Sequence, residues 1–298
     1  MMKRVDELLD SRLMARLDTL DVVSRKVFMG KVQGERRSRR RGQSVEFADF
    51  RPYVPGDDLR FVDWNIYGRL DRLFLKLFLE EEDLSLLFAI DCSTSMDAGT
   101  PRKFDFVRRL AMSLGYIGLV NQSRVGCFAF GGDRVERLTG LRGRRRVREL
   151  GEWLLSRESG GAFDFSKAMR TMALGGQGRG VLVVLSDFML ADGADAGLRA
   201  IAGRGFDVFA IQCLAPEEVE PASVLTGDVR LIDSELGTPV EVSMTSRVIE
   251  AYAERLRQHT EALRDASVRR GVTFMQVRTD MPMDDLLLTY LRRRGLLK

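Results

Sequence analysis

Two apolar runs, about ninety residues apart, constrain this chain more than any other feature it has. Residues 84–90 are almost wholly apolar and close on Asp91; residues 181–185 are wholly apolar and close on Ser186-Asp187. A strand with one wet face alternates apolar and polar side chains, whereas a strand covered on both faces does not. Both runs therefore predict central strands of a sheet with helices on each side. The intervening sequence supplies those helices, with helical spacing over 104–120, 147–155 and 165–174. It also holds a strand over 125–130, with 135–138 turning back as a short hairpin. A helix over 198–204, a strand over 206–213, a long charged helix over 246–270, a strand over 272–277 and a terminal helix over 284–294 follow. Residues 227–244 read as an inserted hairpin turning at Glu235-Leu236-Gly237. Strands alternating with helices in this way predict an α/β fold built on a doubly wound, mostly parallel, Rossmann-like sheet.

Upstream the pattern changes. Val5, Leu8, Leu9, Leu13, Leu17 and Leu20 recur at helical spacing, which predicts one amphipathic helix over 4–20. Residues 34–42, with glycines at both ends, read as an exposed basic loop. From 44 to 82, short alternating runs (Val45, Phe47, Phe50; Leu73, Leu75, Leu77, Leu79) flank Pro55-Gly56-Asp57-Asp58, the pattern of a small β-rich segment around a turn. The expected organisation is a helical segment over 1–33, a basic loop and β-rich block over 34–82, and the α/β domain over 83–298.

Several function classes lose ground at once. No stretch approaches eighteen consecutive apolar residues, so no membrane span is expected. The N-terminus, with Lys3, Arg4, Asp6 and Glu7, lacks the apolar core of a secretory signal, and a cytoplasmic location is expected. Cys92, Cys127 and Cys213 sit in or at the end of apolar runs without C-x-x-C spacing, as buried free thiols would. His259 is the only histidine; it falls in a charged helical pattern and is expected to face solvent. One histidine removes most Ser-His and Cys-His catalytic schemes and most zinc sites. The net charge of +4 is local: eight basic residues against two acidic ones lie between Arg25 and Glu46.

The residues with chemistry to offer lie at the strand ends. In doubly wound sheets ligands bind beyond the carboxyl ends of the strands, where the strand order reverses. With the order 3-2-1-4-5-6, the strands ending at Asp91 and Asp187 are neighbours. The spacing Asp91-x-Ser93-x-Ser95 puts a carboxylate and two hydroxyls on one side of a tight loop, with Cys92 and Thr94 turned away. Two carboxylates and two hydroxyls at a solvent-facing crevice make an all-oxygen site suited to Mg²⁺ or Mn²⁺. The alternative is that Asp91, Ser93 and Ser95 only cap the following loop and helix.

Asp91–Ser95 and Asp187 resemble the metal-ion-dependent adhesion site of von Willebrand factor type A domains. That resemblance implies that Ser93 and Ser95 bind metal directly, that Asp91 and Asp187 act through waters, and that a partner's acidic side chain fills the open position. The family's threonine ligand is missing, since the stretch at its place reads Gly160-Gly161-Ala162-Phe163-Asp164. Either Asp164 substitutes for it, or the site holds no metal.

Upstream, Phe50-Arg51-Pro52-Tyr53-Val54-Pro55-Gly56-Asp57-Asp58-Leu59-Arg60, then Asp63-Trp64, resembles the bacterial domain-of-unknown-function family 58. Its members join this block to a von Willebrand type A-like domain, and the resemblance runs from Gly42 to the C-terminus. It implies work alongside a MoxR-type AAA+ ATPase in assembling or maturing other proteins. The block itself has two readings. Arg51, Arg60, Asp57, Asp58 and Asp63 form an ion-pair lattice with Trp64 as a large apolar anchor, or Arg51, Arg60, Asp63 and Trp64 dock a partner. The arginine run 36–41 reads as a solvated loop, a dock for an acidic protein, or a phosphate contact for nucleic acid. The last is disfavoured because no aromatic residues interleave for base stacking. Gly175-Gly176-Gln177-Gly178 precedes a strand, whereas phosphate-binding loops follow one. The favoured function is a non-enzymatic adaptor that binds proteins. Its rivals are a Mg²⁺-dependent hydrolase on the same carboxylates and a nucleic-acid binder.

Overall fold

The computed structural model describes residues 2, 4–24, 46–79, 84–132, 134–175, 180–190, 193–233 and 237–298. The arginine run 36–41, residues 176–179 of the glycine-rich stretch and residues 234–236 of the hairpin turn lie outside them. The chain divides into two compact units, Gln33–Asp83 and a larger one formed by Met1–Val32 with Leu84–Lys298. The N-terminal helical segment is thus part of the larger unit.

In chain order the elements are α1 (Val5–Leu8), α2 (Ser11–Leu17), β1 (Glu46–Pro52), α3 (Trp64–Leu70), β2 (Phe74–Leu79), β3 (Ser85–Asp91), α4 (Lys103–Val120), β4 (Arg124–Gly131) and β5 (Arg134–Leu141). There follow α5 (Val147–Leu155), α6 (Phe165–Gly175), β6 (Gly180–Ser186), α7 (Asp195–Ala202), β7 (Phe206–Leu214) and α8 (Pro216–Val219). The last are β8 (Gly227–Ile232), β9 (Pro239–Met244), α9 (Ser246–Val268), β10 (Thr273–Arg278) and α10 (Met283–Asp285), which runs into a π-helical stretch, Leu286–Leu291.

The central sheet of the larger unit has the order β10-β7-β6-β3-β4-β5. All its pairings are parallel except β4 with β5. Counted from β3, this is the expected 3-2-1-4-5-6. The two apolar runs are adjacent at the centre, with Ile90 level with Leu185. Their side chains feed two cores. Val181, Val183 and Leu185 point to the face covered by α1, α2, α4, α5 and the C-terminal segment. Leu182 and Val184 point to the face covered by α6, α7 and Leu263 of α9. Every residue of β6 is buried, which is why the sequence there shows no alternation.

The N-terminal region corrects the expectation of one helix. It breaks at Leu9-Asp10 because Asp10 turns to cap α2, accepting the Leu13 N–H at 2.8 Å. Leu8, Leu13, Leu17 and Leu20 are buried all the same.

In the smaller unit β1 and β2 pair antiparallel, as a β-rich segment should. The sequence reading missed α3 between them. Asp63 starts that helix, its Oδ1 accepting the N–H groups of Asn65 (2.8 Å) and Ile66 (3.1 Å). A seven-residue helix is too short to show apolar periodicity, and its cap was the only signal for it.

Candidate functional site

The loops after β3 and β6 meet where the strand order reverses. The Cys92 N–H donates to the Phe130 carbonyl (2.7 Å) and the Cys92 carbonyl accepts from Gly160 (2.7 Å). The Thr94 N–H donates to the Gly161 carbonyl at 3.1 Å. Three chain segments therefore share one backbone network. They lie so close that a Cβ on Gly131 would fall 2.9 Å from the Cys92 oxygen and 3.1 Å from that of Gly160.

Within that frame Asp91 Oδ1 accepts the Ser93 N–H (2.8 Å), and Asp91 Oδ2 accepts the Ser186 hydroxyl (2.5 Å). The Ser93 and Ser95 hydroxyls stand 3.1 Å apart. Asp187 Oδ1 accepts the Met189 N–H (3.0 Å), and its carbonyl accepts Gln212 Nε2 (3.0 Å). The structure thus brings Asp91, Ser93, Ser95 and Asp187 to one strand-end site. It corrects their setting, for Asp91, Ser93 and Asp187 are buried rather than lining an open crevice. Burial first, and the neighbouring Asp187 second, hold the Asp91 carboxyl well above the usual carboxylate range.

Lys103, which the sequence reading passed over, supplies the compensating charge. Its Nζ donates to Asp187 Oδ2 at 2.8 Å and to Glu218 Oε1. Burial alone would lower its proton affinity, but Asp187 and Glu218 together outweigh that and hold the ammonium above the usual lysine range. The donor set does not suit a divalent ion, because the position beside Asp187 Oδ2 is taken by an ammonium. Among the described residues no three Asp, Glu, His or Cys side chains converge into a metal-binding group. Asp164, the expected substitute for threonine, is engaged elsewhere, its Oδ1 accepting the Lys167 N–H (2.9 Å) to cap α6.

His259 is a second correction. It is half-buried, with Nε2 3.0 Å from the Phe188 carbonyl oxygen. Phe188 follows Asp187 with φ 55°, a left-handed conformation uncommon for a bulky residue. On the same helix the Tyr252 hydroxyl donates to the Glu218 carbonyl at 2.9 Å. The cysteines are buried as expected, and burial raises the thiols, that of Cys92 to about 12. Such thiols are not nucleophiles at neutral pH.

A family model described as a protein of unknown function, DUF58, matches residues 49–280. The chain belongs to the DUF58 family. The uncharacterized protein Rv1480 of Mycobacterium tuberculosis (strain ATCC 25618 / H37Rv) is 27% identical over 295 residues, covering 97% of this DUF58 chain and 92% of the relative. The uncharacterized protein Mb1516 of Mycobacterium bovis matches to the same extent. Among solved structures, the conserved hypothetical protein BatB from Bacteroides thetaiotaomicron aligns at 15% identity over 71% of this chain and 98% of its own, with a TM-score of 0.41. The VWA domain of SpRpn10 aligns at 12% identity over 67% and 90%, with a TM-score of 0.40. The sheet order, with Asp91-x-Ser93-x-Ser95 at its reversal point, gives this DUF58 chain a von Willebrand factor A-like domain.

The DUF58 match begins in the smaller unit, within β1. There Arg51 grips Asp57 with two hydrogen bonds (2.8 and 2.7 Å), Arg60 pairs with Asp58, and Asp63 pairs with Lys76 at 3.0 Å. Trp64 is not the buried anchor expected of it. It is 60% exposed and meets the Tyr67 ring edge-on at 6.1 Å.

Proposed function

We propose that this DUF58 chain is a non-enzymatic adaptor or assembly factor that docks proteins on the strand-end face of its larger unit and works in the cytoplasm with a MoxR-type AAA+ ATPase. What supports docking is the build of that face. Backbone hydrogen bonds lock the loops around Ser93 and Gly160 together, and the Ser186 hydroxyl ties the turn at Asp187-Phe188 to Asp91, so the half-buried Thr94 and Ser95 and the exposed Met189 are presented on a preorganised platform. The hydrolase reading finds less support here. His259 is held by the Phe188 carbonyl, the thiols are buried, and both central carboxylates are already hydrogen-bonded. The ATPase partner rests on the family resemblance of the sequence. Among the described residues no helix is long and apolar enough to cross a membrane.

The exposure of Trp64 favours the docking reading of the DUF58 block over the anchor reading, since its own unit does not cover it. The test is co-purification of wild type, Ser95→Arg, Met189→Arg and Trp64→Ala with a MoxR-type ATPase from the same genome, with circular dichroism checking the fold. The arginine variants should lose at least about tenfold in affinity, roughly 1.4 kcal/mol. Undiminished binding by folded Ser95→Arg and Met189→Arg, with loss in Trp64→Ala, would move the docking site to α3. No complex with any ATPase would sink the adaptor reading.

A further inference from the structure

Lys103 opens α4, yet only 1% of its side chain is exposed. Its two acceptors are otherwise satisfied. Asp187 Oδ1 takes the Met189 N–H at 3.0 Å, and Glu218 Oε2 takes the Ala215 N–H at 2.8 Å. The ammonium thus closes the hydrogen bonding of the loop after β6 and of α8 together. A carboxylate as deeply buried as Asp187 is held ionised by a positive charge beside it. A divalent ion would meet a carboxylate oxygen at about 2.1 Å and keep several waters. An ammonium 2.8 Å from Asp187 Oδ2 already satisfies that oxygen and repels a second cation brought up to it.

We propose that Lys103 is the resident cation of the strand-end site: its ammonium supplies at Asp187 the positive charge that a divalent ion supplies in the metal-dependent arrangement, joins the loop after β6 to α8, and makes the docking face independent of Mg²⁺ and Mn²⁺. The last clause rests on the docking reading above. The first two concern the chain alone.

The experiment titrates Mn²⁺ into the full chain and follows the free-ion signal by electron paramagnetic resonance, with thermal midpoints in Mn²⁺ and in EDTA. Wild type should bind no stoichiometric Mn²⁺, and its midpoint should be the same in both. Lys103→Ala leaves Asp187 and Glu218 uncompensated around a vacated position. It should bind Mn²⁺ and melt higher with it, and Lys103→Ala/Asp187→Asn should lose that binding. Stoichiometric Mn²⁺ bound by wild type and abolished by Asp187→Asn would overturn the proposal, as would a Lys103→Ala variant that folds and binds none. Should Lys103→Ala fail to fold, Lys103→Met/Asp187→Asn decides. Recovery of the fold when both charges are removed supports the buried pair, and continued failure overturns it. In the co-purification assay EDTA should leave the complex intact. A complex that EDTA dissolves would overturn metal independence while leaving the docking face standing. Absence of any partner would sink the docking reading without touching the Mn²⁺ result.

Discussion

The Ser186 hydroxyl donates to Asp91 Oδ2 at 2.5 Å and accepts the Phe188 N–H at 2.8 Å, so one small side chain serves a buried carboxylate and a strained backbone turn. Ser186→Ala removes the partner of Asp91 Oδ2 and of the Phe188 N–H and should cost about 1–3 kcal/mol. Urea denaturation reads this directly, and an unchanged midpoint would mean that neither bond contributes. Asp63 makes a pH prediction. The hydrogen bond from Lys76 first, and that from the Ile66 N–H second, hold its carboxyl below the usual carboxylate range. A depressed carboxyl stabilises the fold above its unfolded value and loses that contribution as pH falls through the folded one. NMR titration should therefore place the Asp63 midpoint below that of an ordinary aspartate, and Lys76→Met should move it up; an unmoved midpoint would remove Lys76 as the cause. Residue spacing made Asp91, Ser93, Ser95 and Asp187 legible in the sequence. The roles of Lys103 and Glu218 were not legible, because Lys103 lies 84 positions from Asp187 and 115 from Glu218 and only the folded sheet brings the three together. The one available signal was a lysine opening an apolar helix, and many solvent-facing lysines look the same.

At the scale of elements, α1 and α2 are part of the core rather than an appendage. Leu17 is wholly buried, and Gly151 of α5 lies so close under Val5 that a Cβ there would come within 2.6 Å of it. Leu17→Ala should cost about 2–5 kcal/mol in chemical denaturation. A loss well under that range would show these helices to be dispensable cover. The periodic leucines announced the buried face correctly but not the break in it. A cap such as Asp10 interrupts the backbone without disturbing the apolar spacing. The central strands were the most legible elements of all, since burial on both faces writes itself as an unbroken apolar run. The inserted hairpin was legible for the opposite reason: β8 and β9 are mostly exposed, and turn chemistry alone defined them.

Across the whole molecule, the basic charge concentrated between Arg25 and Glu46 predicts how any nucleic acid would bind. Phosphate contacts release counterions, so retention on DNA should fall steeply between roughly 50 and 200 mM salt. A sequence-selective complex that persists at physiological salt would contradict this. The fold class was readable as a whole because strands buried on both faces have to be central in a sheet covered by helices, while the charge balance of the site depends on side chains meeting across it. The long helix α9 has a mechanical consequence. Tyr252 and His259, about two turns apart on it, are fastened to the Glu218 and Phe188 carbonyls, on either side of the Lys103–Asp187 pair. Toward its N-terminus the helix is largely exposed and continues into the β8–β9 hairpin. It is a beam clamped along its C-terminal half, where Leu263 and Ala266 are buried, with a free overhang, and a pull on the hairpin would arrive first at the two carbonyls that frame the buried charge.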